Sequence, residues 1–284
     1  MNKKTIEKEV SFSGKALQTG EEVRVTCKPA GPDAGITFRR VDLENKPEMQ
    51  LKGAGFIDVG HRRSVIGSDS ATVQTVEHFL AALWGLEIDN ILIEIEGAEL
   101  PALDGSAMAF VKLLKEAGTV EQSVSREFVK ITRKEEIKEG DSSIAVYPAD
   151  SFSVSYLIDY NVGSISREVF DIELDKDSFE KEIAPARTFC LKEEAEALLR
   201  AGLGQGATLE NTLVMDEKGP VGTTLRFPNE PVRHKVLDLV GDFYLFGRPV
   251  LGKVVAEKSG HSLNVKMIQR LYEKFLKNQG DTNE

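Results

Sequence analysis

The spacing of apolar residues divides the chain into helical and extended segments. Apolar residues recur every three or four positions in several stretches, which predicts amphipathic helices at residues 72–83, 105–117, 191–200, 231–242 and 261–275. Alternating or short apolar runs predict strands at residues 10–12, 23–26, 91–95, 128–132, 144–147, 152–158 and 250–256. Glycines and polar loops separate these segments, as chain reversals require.

The order of these segments repeats between the two halves of the chain. In each half, a helix that carries a histidine near its start is followed by a strand, a loop and a second helix. Residues 119–126 are polar and aperiodic, so we place a boundary there and predict domains at 1–122 and 126–284. The expected fold is α+β, with two domains of similar topology, each a sheet layered with helices, and a shared cleft.

Composition and charge narrow the classes of function. The 284 residues carry a net charge of −10 and are 41% apolar, which is typical of globular proteins and argues against a nucleic-acid partner. No apolar run approaches the roughly 18 residues of a transmembrane segment, and no signal peptide core follows the basic N-terminus. Cys27 and Cys190 match no metal-ligand spacing, so we expect reduced thiols and a cytoplasmic location. We also expect a monomer.

The helix predicted at residues 231–242 carries the first candidate chemistry. Pro231 opens it, which is the position where a helix tolerates a missing N–H donor. His234 and Asp238 are four residues apart and therefore lie on the same helix face, where both can bind one metal ion. A pair at this spacing is more often a surface ion pair or a buried hydrogen bond, so the pair alone leaves both interpretations open.

A third ligand is available in the first half of the chain. His78 lies in the helix predicted at 72–83, and the proposed cleft would bring it opposite His234 and Asp238. Two histidines and one aspartate with an open fourth position suit Zn²⁺ in a hydrolytic site, although Fe²⁺ accepts the same ligands. Glu77 is then the candidate general base, because it points to a different side of the helix from His78. The alternative for Glu77 is a solvated helix carboxylate.

A second histidine is predicted to assist the same site. His261 begins the final helix, and Asp242 lies four residues past Asp238 on the same helix face, where it can pair with that imidazole. A cationic histidine held this way can stabilise an oxyanion or protonate a leaving amine. Thr188 is a further candidate donor, and Lys235 a candidate phosphate contact. His61 has no partner in the sequence, and we expect it at the surface.

Several blocks taken together resemble the UDP-3-O-acyl-N-acetylglucosamine deacetylase family, and they occur in the family's order over nearly the whole chain. These blocks are Thr75-Val76-Glu77-His78, Leu103-Asp104-Gly105-Ser106, Ala186-Arg187-Thr188-Phe189, Val232-Arg233-His234-Lys235 with Leu237-Asp238 and Gly241-Asp242, and Ser259-Gly260-His261 with Asn264. The resemblance implies a zinc amidase that removes acetate from UDP-3-O-(3-hydroxyacyl)-N-acetylglucosamine, the committed step of lipid A synthesis in the Gram-negative cytoplasm. It also implies a βαβ insert near residues 189–214 that forms a hydrophobic passage for the acyl chain.

The resemblance also implies a role for each candidate residue. It places the metal on His78, His234 and Asp238, with Glu77 as the general base. Its other implied catalytic and substrate-binding residues are His261 with Asp242, Thr188, Lys235, Lys258 and Phe189. A catalytically silent sugar-nucleotide-binding protein and a zinc hydrolase of another N-acyl substrate remain the alternatives.

The chain departs from the family's pattern at two places. Gln18 stands where the family usually has a histidine that resembles a supporting group of the site, so an effect on rate or metal occupancy is expected. The turn at residues 141–143 lacks the basic residue that the family often places there, so its nucleotide contacts are an open question. Neither departure affects the proposed metal ligands or the base.

Overall fold

The described part of the first half of the chain forms ten strands and two helices. A computed structural model describes residues 1–51, 56–60, 63–68, 71–160 and 162–275. The strands up to residue 125 are β1 (Asn2–Ile6), β2 (Val10–Lys15), β3 (Glu22–Pro29), β4 (Ile36–Arg40), β5 (Glu48–Gln50), β6 (Phe56–Gly60), β7 (Arg63–Ser68), β8 (Ala71–Gln74), β9 (Ile91–Glu96) and β10 (Thr119–Ser125). The helices are α1 (Glu77–Gly85) and α2 (Met108–Ala117).

The second half repeats this plan, and its last two helices are longer than those of the first half. Its strands are β11 (Val129–Lys130), β12 (Glu135–Glu139), β13 (Ser142–Tyr147), β14 (Phe152–Ile158), β15 (Glu168–Leu174), β16 (Phe189–Leu191), β17 (Leu213–Asp216), β18 (Gly219–Pro220) and β19 (Val250–Glu257). Its helices are α3 (Lys176–Ser178), which continues as a π-helical turn, α4 (Lys192–Arg200), α5 (Glu230–Phe243) and α6 (His261–Phe275).

The main sheets of the two halves have the same topology. Their strand orders are β2-β3-β9-β4-β5 and β12-β13-β19-β14-β15. In both sheets the last strand in sequence lies in the middle, antiparallel to one neighbour and parallel to the other. Each half also carries a small three-stranded sheet, β6-β7-β8 or β16-β17-β18, just before its helix–strand–helix unit. The predicted α+β fold with two halves of similar topology is therefore confirmed.

Two helix predictions were wrong at their starts. The helix predicted at residues 105–117 begins at Met108, and the one predicted at residues 72–83 begins five residues later than predicted (77 − 72). Residues 72–74 belong to strand β8, and helix α1 begins at Glu77. In β8 the side chains of Ala71 and Val73 are buried and their neighbours are half-buried, which is the two-residue period of a strand. Thr75 has a positive φ of 56° and separates the strand from the helix. A short apolar run of this kind matches both periods, so its pattern alone did not distinguish them.

The predicted boundary segment is an element of structure. Residues 119–125 form β10, which pairs with the first strand, β1, in an antiparallel ladder. Much of β10 is exposed, and its polar composition follows from that exposure. The domain limits 1–122 and 126–284 stay a prediction.

The two halves meet through helices α1 and α5. Both helices are buried along most of their length. Gly241 lies on α5 directly against α1, because a Cβ atom at this position would stand 1.9 Å from the carbonyl oxygen of Glu77. Only glycine allows the two backbones to approach so closely. This contact brings the first turn of α1 beside the last turn of α5. None of the helices in the described ranges combines the length and the apolar character needed to cross a bilayer.

Candidate active site

Three potential metal ligands converge where α1 meets α5. His78 lies in the first turn of α1, and His234 and Asp238 lie one turn apart on α5. The Oδ1 atom of Asp238 is 3.5 Å from Nε2 of His78 and 3.2 Å from Nε2 of His234. One ligand atom from each residue lies within 4.8 Å of the others, and all three side chains are buried. The structure thus brings together residues that are 156 and 160 positions apart in the sequence (234 − 78 and 238 − 78).

The donor set fits a divalent cation. Nδ1 of His234 lies 3.1 Å from the carbonyl oxygen of Ala186 and can donate its proton there, which leaves the Nε2 lone pair directed into the site. Two ligand atoms bound to one tetrahedral zinc ion stand about 3.3 Å apart. The Oδ1 atom of Asp238 lies at close to this distance from Nε2 of His78 and from Nε2 of His234. Burial lowers the pKa of His78 and thereby favours its neutral, metal-binding form.

Glu77 is a buried carboxylate beside these three residues. Its side chain is 3% exposed, which excludes the solvated helix carboxylate. One carboxylate oxygen accepts a hydrogen bond from the backbone N–H of Ser64 at 3.1 Å, and the other lies 3.9 Å from Nε2 of His261. Burial raises the pKa of Glu77 to about 7, and the negative charges of Asp238 and Asp242 add to the rise against the opposing charge of His261. A carboxyl group with such a pKa can both take up and release a proton near neutral pH.

His261 and Asp242 form a buried pair. Nδ1 of His261 lies 2.9 Å from Oδ2 of Asp242, so the imidazole is held with Nε2 facing the site. Burial alone would lower the pKa of His261, but the charges of Asp242 and Glu77 outweigh it and raise the pKa to about 9. The structure therefore places the predicted pair together.

Two polar residues fix the Asp242 carboxylate, and one of them was missed by sequence analysis. Asn264 donates to Oδ2 of Asp242 at 2.8 Å, and the hydroxyl of Ser64 donates to Oδ1 at 2.5 Å. Ser64 also contacts Glu77 through its N–H, so this one residue supports both acidic groups. No local pattern marks Ser64, because its partners lie 13 and 178 residues away in the chain.

Both predicted substrate-binding lysines are in ion pairs, and Lys235 lines the cleft whereas Lys258 precedes the cleft residue Ser259. Lys235 donates to Oδ2 of Asp238 at 2.7 Å, and its ammonium group lies 5.7 Å from the centre of the Phe189 ring. The ammonium group of Lys258 lies 3.7 Å from a carboxylate oxygen of Asp159. Both lysines are therefore held near the cleft by carboxylates.

Residues 186–188 are anchored by a buried ion pair. Glu230, at the start of α5, is fully buried and accepts from Nε of Arg187 at 2.9 Å and from its backbone N–H at 3.0 Å. The neighbouring carbonyl of Ala186 orients His234, and the neighbouring Thr188 lines the central cavity. The Arg187–Glu230 pair therefore fixes the backbone that orients His234 and carries Thr188.

Removal of one partner of this pair is expected to destabilise the fold. Glu230→Ala leaves the Arg187 guanidinium buried without its carboxylate, so the free energy of unfolding should fall by about 3–5 kcal/mol in a urea titration. The matched control is Glu196→Ala, since Glu196 pairs with Arg200 at the surface, where loss of the pair should cost less than about 1 kcal/mol. Equal effects of the two substitutions would contradict the anchoring role.

The site opens into one cavity of about 960 Å³. Glu77, the three potential ligands, His261 and Thr188 line one part of it. The segment predicted as an insert lines another part with apolar side chains, namely Ala195, Leu198, Leu199, Leu209 and Val214. Leu199 is 52% exposed and Leu209 is 45% exposed, so the apolar part extends to the protein surface. The cavity is thus polar and charged at one end and apolar at the other.

Two further predictions concern positions away from the ligands. His61, expected at the surface, lies outside the described residues. In the turn that lacks a basic residue, the hydroxyl of Ser142 donates to the carbonyl oxygen of Lys258 at 2.9 Å. This turn therefore contacts the segment that leads into His261, although it supplies no positive charge.

This fold and this site define an α+β protein with a buried His-His-Asp set and an adjacent acid, the arrangement of a metal-dependent hydrolase. The family model for LpxC, UDP-3-O-acyl N-acetylglycosamine deacetylase, matches residues 3–273. The chain therefore belongs to this family of metal-dependent deacetylases, and the resemblance noted in the sequence is confirmed.

Curated relatives agree with this membership over almost the whole chain. A UDP-3-O-acyl-N-acetylglucosamine deacetylase from Anaeromyxobacter sp. (strain Fw109-5) is 41% identical over 273 residues, covering 95% of this chain and 88% of the relative. A protein of the same name from Myxococcus xanthus (strain DK1622) is 39% identical over 271 residues, covering 95% and 86%. These matches are full-length similarities, because both chains are covered almost completely.

Proposed function

We propose that this chain hydrolyses the acetamide of UDP-3-O-(3-hydroxyacyl)-N-acetylglucosamine with zinc as its metal. As a member of the deacetylase family, it is an enzyme of lipid A synthesis that acts on an acylated UDP-amino sugar. The observation that carries the proposed mechanism is the meeting of His78, His234 and Asp238 within 4.8 Å of one another, beside the buried carboxylate of Glu77.

His78, His234 and Asp238 would hold the metal. Two imidazole nitrogens and one carboxylate oxygen suit Zn²⁺, and Fe²⁺ is the second candidate for the same set. The bound ion would lower the pKa of a water molecule and polarise the acetamide carbonyl. The chain itself keeps the ligands oriented, since Ala186 fixes His234 and the buried α1–α5 contact fixes His78.

Glu77 and His261 would move the protons of the reaction. Glu77 takes a proton from the attacking water, and the new carbon–oxygen bond forms at the acetamide carbonyl. His261, held by Asp242, stabilises the oxyanion and then donates a proton to the sugar nitrogen as the carbon–nitrogen bond breaks. Acetate and the free amine are the products. Thr188 lines the cavity beside these groups and is proposed as a further donor to the oxyanion.

The remaining cavity would hold the two ends of the substrate. Lys235 lines the cavity and would supply positive charge for the sugar nucleotide, and Phe189 would supply an aromatic surface. Lys258, which precedes the cavity residue Ser259, is proposed as a second positive charge. The apolar side chains of the insert would take the acyl chain. Each buried CH2 group contributes about 0.8 kcal/mol, so removal of several carbons from the chain should lower kcat/KM by orders of magnitude.

A silent binding protein is the main alternative, and the intact set of candidate catalytic residues argues against it. A hydrolase of another N-acyl substrate is the second alternative, and the full-length similarity to named deacetylases disfavours it. We further propose a cytoplasmic monomer. Both cysteines, Cys27 and Cys190, are buried and are not joined by a disulfide, which is consistent with a reducing compartment.

An acetate-release assay tests the proposed function. The purified protein should release one acetate per molecule of long-chain UDP-3-O-acyl-N-acetylglucosamine, and a chelator should stop the reaction until Zn²⁺ is restored. Binding of this substrate without any release of acetate would instead identify a silent binding protein. Release of acetate that a chelator does not affect would contradict the metal-dependent mechanism.

A further inference from the structure

A turn in the N-terminal half contacts a loop of the insert through three successive amides. The backbone N–H groups of Gly206 and Gln205 donate to the carbonyl oxygens of Leu17 and Gln18, each at 3.1 Å. The next N–H in this series, that of Gly204, donates to the side-chain Oε1 of Gln18, also at 3.1 Å. Two of these three hydrogen bonds join backbone atoms. The third, to Oε1 of Gln18, is the one that depends on the identity of a side chain.

The loop lies directly on the turn. A Cβ atom at Gly206 would stand 2.0 Å from the carbonyl oxygen of Ala16, and one at Gly20 would stand 3.0 Å from Cβ of Gln205. Glycine at both positions removes the side chains that would separate the two segments. The contact is therefore a close fit between backbones, in which small displacements of the loop break hydrogen bonds.

A buried carboxylate fixes the turn to the entrance of helix α1. Glu99 is 1% exposed and accepts from the N–H groups of Gln18 at 2.9 Å and Thr19 at 3.1 Å. It also accepts from the hydroxyl of Thr75 at 2.8 Å, two residues before Glu77. These three hydrogen bonds join the turn to the residues that lead into helix α1, on the side of the active site.

The same turn and loop form part of the cavity wall. Leu17, Gln18 and Gly204 line the cavity together with Leu198 and Leu209 of the insert. Helix α4 of the insert has no fully buried residue, so its own packing holds it weakly. The position of this wall therefore depends on the contact between the loop and the turn.

We propose that Gln18 is a specificity-determining residue that holds the Gly204 amide and so keeps the wall of the acyl passage closed. This inference rests on the proposed function. Without the Oε1 acceptor, the N–H of Gly204 donates its hydrogen bond to water, and the loop that carries Gly204 becomes more mobile. A more mobile cavity wall excludes less water from a long acyl chain, so binding of the long chain is weakened. A short acyl chain makes few contacts with this wall and is affected less. Gln18 thus acts on chain-length preference, and the metal site is expected to keep its occupancy.

The test compares three variants on two substrates. Gln18→Ala removes the acceptor and the side-chain volume, whereas Gln18→Met keeps the length and removes the acceptor. Gln205→Ala is the matched control, because its backbone N–H remains and its side chain makes only a 3.5 Å contact with Leu199. We expect both Gln18 variants to lower the ratio of long-chain to short-chain kcat/KM by about five- to tenfold, with unchanged metal content. Gln205→Ala should keep the wild-type ratio.

Hydrogen–deuterium exchange gives a second measurement that does not use turnover. The segment 203–207 should exchange faster in both Gln18 variants and at the wild-type rate in Gln205→Ala. A wild-type ratio in Gln18→Met, or unchanged exchange in it, would overturn the inference. Loss of bound metal in the Gln18 variants would overturn it as well. If the unmodified protein releases acetate from neither substrate, the proposed function itself is wrong. That result differs from a failure of the Gln18 inference, in which the unmodified protein is active and the Gln18 variants keep its substrate ratio.

Discussion

Replacement of His78 with Ala should remove the bound metal and nearly all activity. The substitution deletes one of three potential ligands and leaves His234 and Asp238, which hold a metal more weakly as a pair. Because the ion contributes several kcal/mol to transition-state stabilisation, acetate release should fall by roughly 1000-fold or more. Metal content measured by elemental analysis should fall from one equivalent to near zero in the same protein.

Two controls keep this result interpretable. Lys266→Ala alters another side chain that lines the cavity, and it should keep a full equivalent of metal, since Lys266 is not one of the three potential ligands and pairs with Glu139 at the surface. A circular dichroism spectrum of the His78 variant should match that of the unmodified protein. If His78→Ala keeps both its metal and its turnover, His78 is not a ligand.

Replacement of Glu77 with Gln should separate metal binding from catalysis. The amide oxygen of Gln can still accept the N–H of Ser64, so the local structure should persist. The amide cannot take up a proton, so kcat should fall by about 100- to 10,000-fold, the usual contribution of a general base. Metal content should stay at one equivalent.

The matched control for this second substitution is Glu193→Gln. Glu193 is an exposed carboxylate on helix α4, and loss of its charge should leave kcat unchanged within experimental error. Wild-type turnover in Glu77→Gln would remove Glu77 as the base. Loss of the metal from this variant would show instead that Glu77 supports the ligands.

The part of the site that the sequence could predict is the part with regular local spacing. Helix α5 has an opening proline, a helical apolar period and His234 and Asp238 one turn apart, so its pattern already placed two potential ligands on one face. The repeated order of elements likewise predicted two halves of similar topology. The period of apolar residues determines which face of an element a side chain occupies, and this period can be read from neighbouring residues in the sequence.

The part that could not be predicted depends on contacts between distant segments. Ser64 supports Glu77 and Asp242 from a separate strand, and Ala186 orients His234 through a backbone carbonyl, which carries no side-chain signal at all. The strand at residues 119–125 is polar because much of it is exposed, so hydrophobic pattern did not reveal its pairing with β1. Such contacts appear only when the chain is folded.

The central claim is that both halves of the molecule supply ligands to one metal ion. We propose that helix α1 supplies His78 and that helix α5 supplies His234 and Asp238, and the close packing at Gly241 holds the two helices against each other. Glu77, His261 and the apolar passage all take their proposed roles from their position around that ion.

Anomalous diffraction at the zinc absorption edge tests this claim most directly. Crystals grown with one equivalent of Zn²⁺ should show a single strong peak about 2.0–2.2 Å from Nε2 of His78, Nε2 of His234 and a carboxylate oxygen of Asp238. A zinc peak bound elsewhere on the protein, with no density among these three side chains, would contradict the account.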